Sequence, residues 1–131
     1  MKVTADTNVL LRAIVDDDEA QTTRAVELLE AADMVAVSLQ TLCELVCVLR
    51  GRYGVERTHI ASAIRTLLST SNVVVNRPAA EAGLALLDAG GDFADGVIAY
   101  DGTWLGAETF VSFDKKAVSL LTKQGQAARL L

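Results

Sequence analysis

Four carboxylates in this chain fall where a strand should stop or a helix should begin or run. They are Asp6 in VTADTNVLLRA, Glu44 in SLQTLCELVCVLR, Asp95 in GGDFADGVIAY and Asp114 in TFVSFDKKA. Each is embedded in an apolar run or abuts one. A carboxylate beside a core is costly to desolvate. Two that converge to ~5 Å at an effective dielectric near 20 repel by roughly 3 kcal/mol. Divalent cations are the usual compensation. One or two such ions on a carboxylate cluster can activate water, neutralise a phosphate and help an oxygen leave, which is what phosphodiester hydrolysis needs.

The elements that must position these acids read as an alternation. Lys2 to Ala5 predicts a short strand ending at Asp6, and Asn8 to Val15 a short helix. Glu19 to Ala32 has helical spacing, with Ala25, Leu28, Leu29 and Ala32 on one face. Met34 to Ser38 reads as a second strand. Ser38 then caps a helix running to about Arg50. Val55 to Leu68 is another helix, with Ile60, Ile64, Leu67 and Leu68 inward. NVVVN is a third strand, and Asn76 and Pro78 start a helix that runs to Asp88. AGG breaks the chain before Asp92, and Phe93 to about Trp104 is helical. TFVSF gives a fourth strand, Lys115 to Lys123 a terminal helix, and AARLL a last edge strand. Strands that are continuous apolar runs between helices predict a parallel sheet covered on both faces. Ligands in such sheets bind at the carboxyl ends of the strands. Asp6, Asp95 and Asp114 belong to that edge, and Glu44 lies on a helix entered from it.

Each acid also has a purely structural reading. Asp6 precedes an apolar helix and suits an N-cap. Asp92 and Asp95, three apart, suit a cap and a first-turn partner for the helix dipole. Asp114, before Lys115 and Lys116, suits a charged turn. Glu44 stands about two turns inside its helix, too deep to cap it.

The 131 residues predict one domain, spanning 1–131. Hydrophobic residues make up 51% and aromatics 5%, so the core is mostly Ala, Val and Leu. No apolar run is long enough to span a membrane. The start, MKVTADTN, lacks the apolar stretch of a signal peptide, so a cytoplasmic location is expected. Cys43 and Cys47 read as two small core residues: with one His and no other Cys, four-coordinate zinc has too few ligands. His59 has no partner nearby in sequence. The net charge of −5 opposes a broad nucleic-acid surface, although bound cations reverse the local sign at an acidic site. No Ser–His, Cys–His or phosphate-binding loop competes for the chemistry.

The series DTN, E, DFAD and FD at these intervals resembles the PIN-domain nucleases, and in particular the VapC-type toxins of type II toxin–antitoxin pairs. The resemblance spans essentially the whole chain. It implies a three-layer α/β/α fold with a parallel sheet of four to five strands. It also implies an endoribonuclease using one or two Mg²⁺ or Mn²⁺ ions. Asp6, Glu44, Asp95 and Asp114 would be the metal-ligating acids. Asn8, Asp92 and Ser112 would stand behind them or hold water at the metal. The implied partners are an RNA substrate, a small antitoxin and a second copy in a homodimer. Two alternatives stay open. A receiver-like signalling domain would need a phosphoacceptor Asp after the third strand, where this chain has Asn76-Arg77-Pro78. A degenerate PIN domain would bind without cleaving.

Overall fold

Helix and strand alternate along the chain in the computed structural model, which describes all 131 residues, Met1–Leu131. They form two compact units, Met1–Asn76 and Arg77–Leu131.

The first unit runs β1 (Lys2–Thr4), α1 (Thr7–Ile14), α2 (Glu19–Ala31), β2 (Met34–Ala36), α3 (Leu39–Gly51), α4 (Arg57–Ser69) and β3 (Val73–Val74). Its strands form a parallel sheet in the order β1-β2-β3. Val3 pairs with Val35, and Val35 with Val73. Parallel neighbours need a crossover, and each crossover here is a pair of helices. The ladder continues past the strand ends. The Ala5 amide donates to Ala36 at 3.1 Å, and the Val37 amide to Val74 at 3.0 Å. Backbone order therefore persists up to Asp6 and Ser38, the residues that open the next helices. The core gathers Val35 with Leu10, Leu11, Leu42, Leu45, Leu49, Ile60 and Ile64, all essentially without solvent contact. Leu28, Leu29 and Leu67, expected inward, are half-buried, because they line open clefts rather than the core. NVVVN narrows to two strand residues. The Asn72 side chain instead donates to the carbonyls of Leu29 (2.8 Å) and Ala32 (3.0 Å), supplying partners where α2 ends.

The second unit runs α5 (Arg77–Asp88), α6 (Phe93–Trp104), β4 (Phe110–Ser112), α7 (Lys115–Lys123) and β5 (Ala128–Leu130). β4 and β5 pair in parallel, with Val111 opposite Arg129. The parallel strands thus fall in two ladders, of three strands and of two, where the sequence predicts one sheet of four to five. Helices α5 and α6 pack closely because two glycines allow it. A Cβ on Gly83 would lie 2.7 Å from the Phe93 ring, and one on Gly96 would meet the Ala82 carbonyl and stand 2.9 Å from the Gly83 Cα. The break at AGG is a helix C-terminal motif. Gly90 has φ +97°, the Gly90 amide donates to Leu87 at 3.1 Å, and that of Gly91 to Leu86 at 2.8 Å. A side chain at Gly90 would be strained. That turn delivers Asp92 directly to the start of α6. Leu86, Ala99 and Leu121 form the small core beneath, with Phe110, Leu120 and Ala128 against it.

Candidate functional site

Asp6 caps α1, its Oδ1 accepting from the Val9 amide at 3.0 Å. The cap orients the carboxylate and leaves Oδ2 without a protein partner. Ser38 does the same work for α3, accepting from the Thr41 amide at 3.1 Å. Helix α3 buries Leu42, Leu45, Val46 and Leu49. Positions 40, 41 and 44 share another face of that helix. Glu44 is accordingly exposed, and it joins Asp6, Thr7, Asn8, Ser38, Gln40 and Thr41 around a cleft of about 280 Å³. The structure thus brings Asp6, Asn8 and Glu44 together at the carboxyl ends of β1 and β2. No hydrogen bond or ion pair occupies Glu44.

In the second unit Asp92 caps α6, accepting from the Ala94 amide at 3.1 Å. Asp95 follows in the first turn. Past β4, Asp114 caps α7 by accepting from the amides of Lys116 (2.9 Å) and Ala117 (3.1 Å) through Oδ1. The Ser112 hydroxyl accepts from the Asp114 amide at 2.9 Å and so fixes the turn that carries the acid. Burial, then the charges of Asp92 and Asp114, hold the Asp95 carboxyl above its ordinary range. Asp95 therefore lies in the negative field of Asp92 and Asp114. A cation bound there would relieve such a field.

Capping and function are compatible in these residues. Asp6, Asp92 and Asp114 each spend one oxygen on a helix and keep the other. The donor set is all oxygen, which suits Mg²⁺ or Mn²⁺ rather than softer metals. No three His, Cys, Asp or Glu groups are gathered closely enough to hold an ion. Cys43 and Cys47 form no disulfide and, against the core placement expected, are half-buried and exposed respectively; His59 is exposed.

Two residues that the sequence reading passed over also belong here. Arg12 and Arg24 line a second cleft of about 450 Å³ together with Asp6, Asn8 and Gln21. Nothing in local sequence marks them, because Arg24 reads as an ordinary helix-surface residue.

Residues 3–119 match the PIN domain, and the chain belongs to that family. Its fold class is accordingly the three-layer α/β/α arrangement with parallel strands. The match crosses the boundary between the two units. Among solved structures, the chain is similar to VapC20 of Mycobacterium tuberculosis, a sarcin–ricin loop cleaving toxin. The two share 19% identity over 96% of this chain and 97% of that one, with a TM-score of 0.46. No curated protein matches the chain. Family membership sets aside the receiver-like alternative, as does the absence of an Asp at the end of β3, where Val74 is followed by Val75 and Asn76.

Proposed function

We propose that this protein is a metal-dependent endoribonuclease, the toxin of a toxin–antitoxin pair, working as one domain over residues 1–131. The observation that carries the reading is the cleft shared by Asp6, Asn8 and Glu44 at the strand ends of a PIN-family chain. Asp6, Glu44, Asp95 and Asp114 are the proposed ligands of one or two Mg²⁺ or Mn²⁺ ions. Such ions supply charge neutralisation at the phosphate and activation of the attacking water. The chain's own contribution is to orient the carboxylates. Helix caps fix Asp6 and Asp114, the buried face of α3 fixes Glu44, and Ser112 fixes the turn before α7. Asn8, Asp92 and Ser112 support these acids or hold water beside them.

The proposed antitoxin is a small protein with a Lys or Arg that reaches the acids and an apolar segment that packs nearby. A basic group there competes with metal and phosphate for the carboxylates. An apolar cleft of about 590 Å³ in the first unit, lined by Leu10, Ile14, Val26, Leu29, Leu67 and neighbours, suits such a segment. We also propose a homodimer and a cytoplasmic location; no helix is long and apolar enough to cross a membrane.

The test is cleavage of structured RNA by the purified chain. We expect cleavage in millimolar Mn²⁺ or Mg²⁺, none in EDTA, and none from Glu44→Gln. Cleavage that persists in EDTA, or no cleavage with either metal, refutes the reading.

A further inference from the structure

The acidic cleft does not stand alone. Asp6 and Asn8 also line the adjoining cleft of about 450 Å³, whose other polar walls are Arg12, Gln21 and Arg24. In a chain of net charge −5, two arginines on one cleft beside the proposed catalytic acids call for an account. They differ in what they can do.

Arg12 is tied down. Its Nη1 donates to Asp17, whose other oxygen accepts from the Tyr53 hydroxyl at 3.0 Å. Asp17 neutralises it, and its Nε is buried without a partner. Arg12 therefore builds the wall.

Arg24 is exposed on α2, and no ion pair or hydrogen bond engages it. Its position is nonetheless set. The Asp18 carboxylate caps the start of α2 at the Gln21 amide (3.1 Å), and the Thr22 hydroxyl donates to the Arg12 carbonyl at 2.8 Å. The first bond fixes the start of α2, and the second ties α2 to α1 two residues before Arg24. A fixed helix thus presents an uncompensated guanidinium, flanked by the Gln21 amide, to a cleft that Asp6 and Asn8 connect with the acids.

We infer that this cleft is a binding subsite for the nucleic-acid backbone, in which Arg24 takes a phosphate next to the one being cleaved. The inference rests on the nuclease reading above. A guanidinium binds phosphate in two parallel hydrogen bonds and holds its charge at any working pH. The anionic backbone would then bridge the two clefts, with its scissile phosphate at the acids and a neighbour on Arg24. That gives an acidic nuclease a local foothold on a polyanion without a broad basic surface.

Two measurements on the full chain test this. The first is binding of a short labelled single-stranded RNA in Mn²⁺ over a salt series, with Asp6→Asn in the background to prevent turnover. The second is kcat and KM of the chain with Asp6 intact. Arg24→Gln keeps helix propensity and removes the charge. It is expected to weaken RNA binding by about tenfold. The slope of log affinity against log salt should fall in magnitude by about 0.7, the single-strand value for one phosphate contact. KM should rise by a similar factor with kcat little changed. Arg24→Lys keeps the charge and loses the second hydrogen bond, so it should restore the salt slope and part of the affinity. Lys2→Gln, at the opposite end of β1 from Asp6, should alter neither measurement. If the wild type cleaves RNA but Arg24→Gln leaves affinity, salt slope and KM unchanged, the subsite is wrong and the nuclease reading survives. If the wild type neither binds nor cleaves RNA, both fall. If Arg24→Gln spares RNA binding but releases a co-purifying protein, the cleft belongs to that protein instead.

Discussion

Replacing Asp95 by Asn separates a metal-binding carboxylate from a merely structural one. Asn keeps the shape of the side chain and removes its charge. Without metal, two effects oppose each other. The first turn of α6 loses a favourable dipole interaction of about 0.3–1 kcal/mol. Relief of the repulsion from Asp92 and Asp114 returns a similar amount, since half-exposed charge pairs are worth about 0.2–1 kcal/mol each. The two variants should therefore melt within a few degrees of each other in EDTA. With metal they should part. At about 100 times the dissociation constant, linkage stabilises the wild type by roughly 2.7 kcal/mol. For 131 residues the unfolding entropy is about 0.28 kcal/mol/K, so the midpoint should rise by about 10 °C. A ligand loss that weakens affinity on the order of 100-fold leaves a gain of only about 0.4 kcal/mol, or 1–2 °C, at the same metal concentration. The assay is thermal melting of both proteins in EDTA and in millimolar Mn²⁺. A pH series adds a second handle. Metal needs the ionised carboxylate, and the Asp95 carboxyl titrates above the ordinary 3.8. The Mn²⁺ shift of the wild type should be complete at neutral pH and shrink on acidification before an unperturbed Asp would protonate. Equal Mn²⁺ shifts in the two proteins would refute the assignment of Asp95 as a ligand.

Asp6→Asn should abolish RNA cleavage at little cost in stability, well under 1 kcal/mol, because Asn caps α1 as well as Asp does; a cleavage assay beside a melting curve checks both halves. Gly96→Ala should lower the melting midpoint by roughly 4–11 °C. Its Cβ meets the Ala82 carbonyl and the Gly83 Cα, backbone that cannot move aside cheaply, and overpacking of that kind costs about 1–3 kcal/mol at least; a wild-type midpoint would show that α5 and α6 pack less closely. Asp17→Asn should lower the midpoint at neutral pH. Hydrogen bonds from Arg12 and then Tyr53 hold the Asp17 carboxyl below the ordinary 3.8, so its contribution is present above that value and lost as pH falls through the depressed one. Melting the two proteins side by side should show the difference closing as pH falls below the ordinary 3.8, and a constant gap at all pH would exclude the ion pair as its cause.

The chain's local chemistry is plain in its sequence. Asp6, Asp18, Ser38, Asp92 and Asp114 each bond to amides two or three residues ahead. Such caps depend on near neighbours alone, so helix starts and the break at Gly90 are readable without any fold. The alternation of apolar strands and helices gives the parallel class for the same reason. Three things came only from tertiary packing. The half-burial of Leu28, Leu29 and Leu67 depends on clefts between elements far apart in the chain. The field on Asp95 depends partly on Asp114, across a strand and a turn. The placing of Glu44 beside Asp6, thirty-eight positions away, depends on the pairing of β1 with β2. Arg24 illustrates the limit best. In sequence it is one more charge on a helix surface. Only the packing of α2 on α1, with its bond from Thr22 to the Arg12 carbonyl, turns that surface toward a cleft shared with Asp6. Local hydrogen bonding is written in adjacent residues, whereas a cleft is a property of which surfaces the core leaves uncovered.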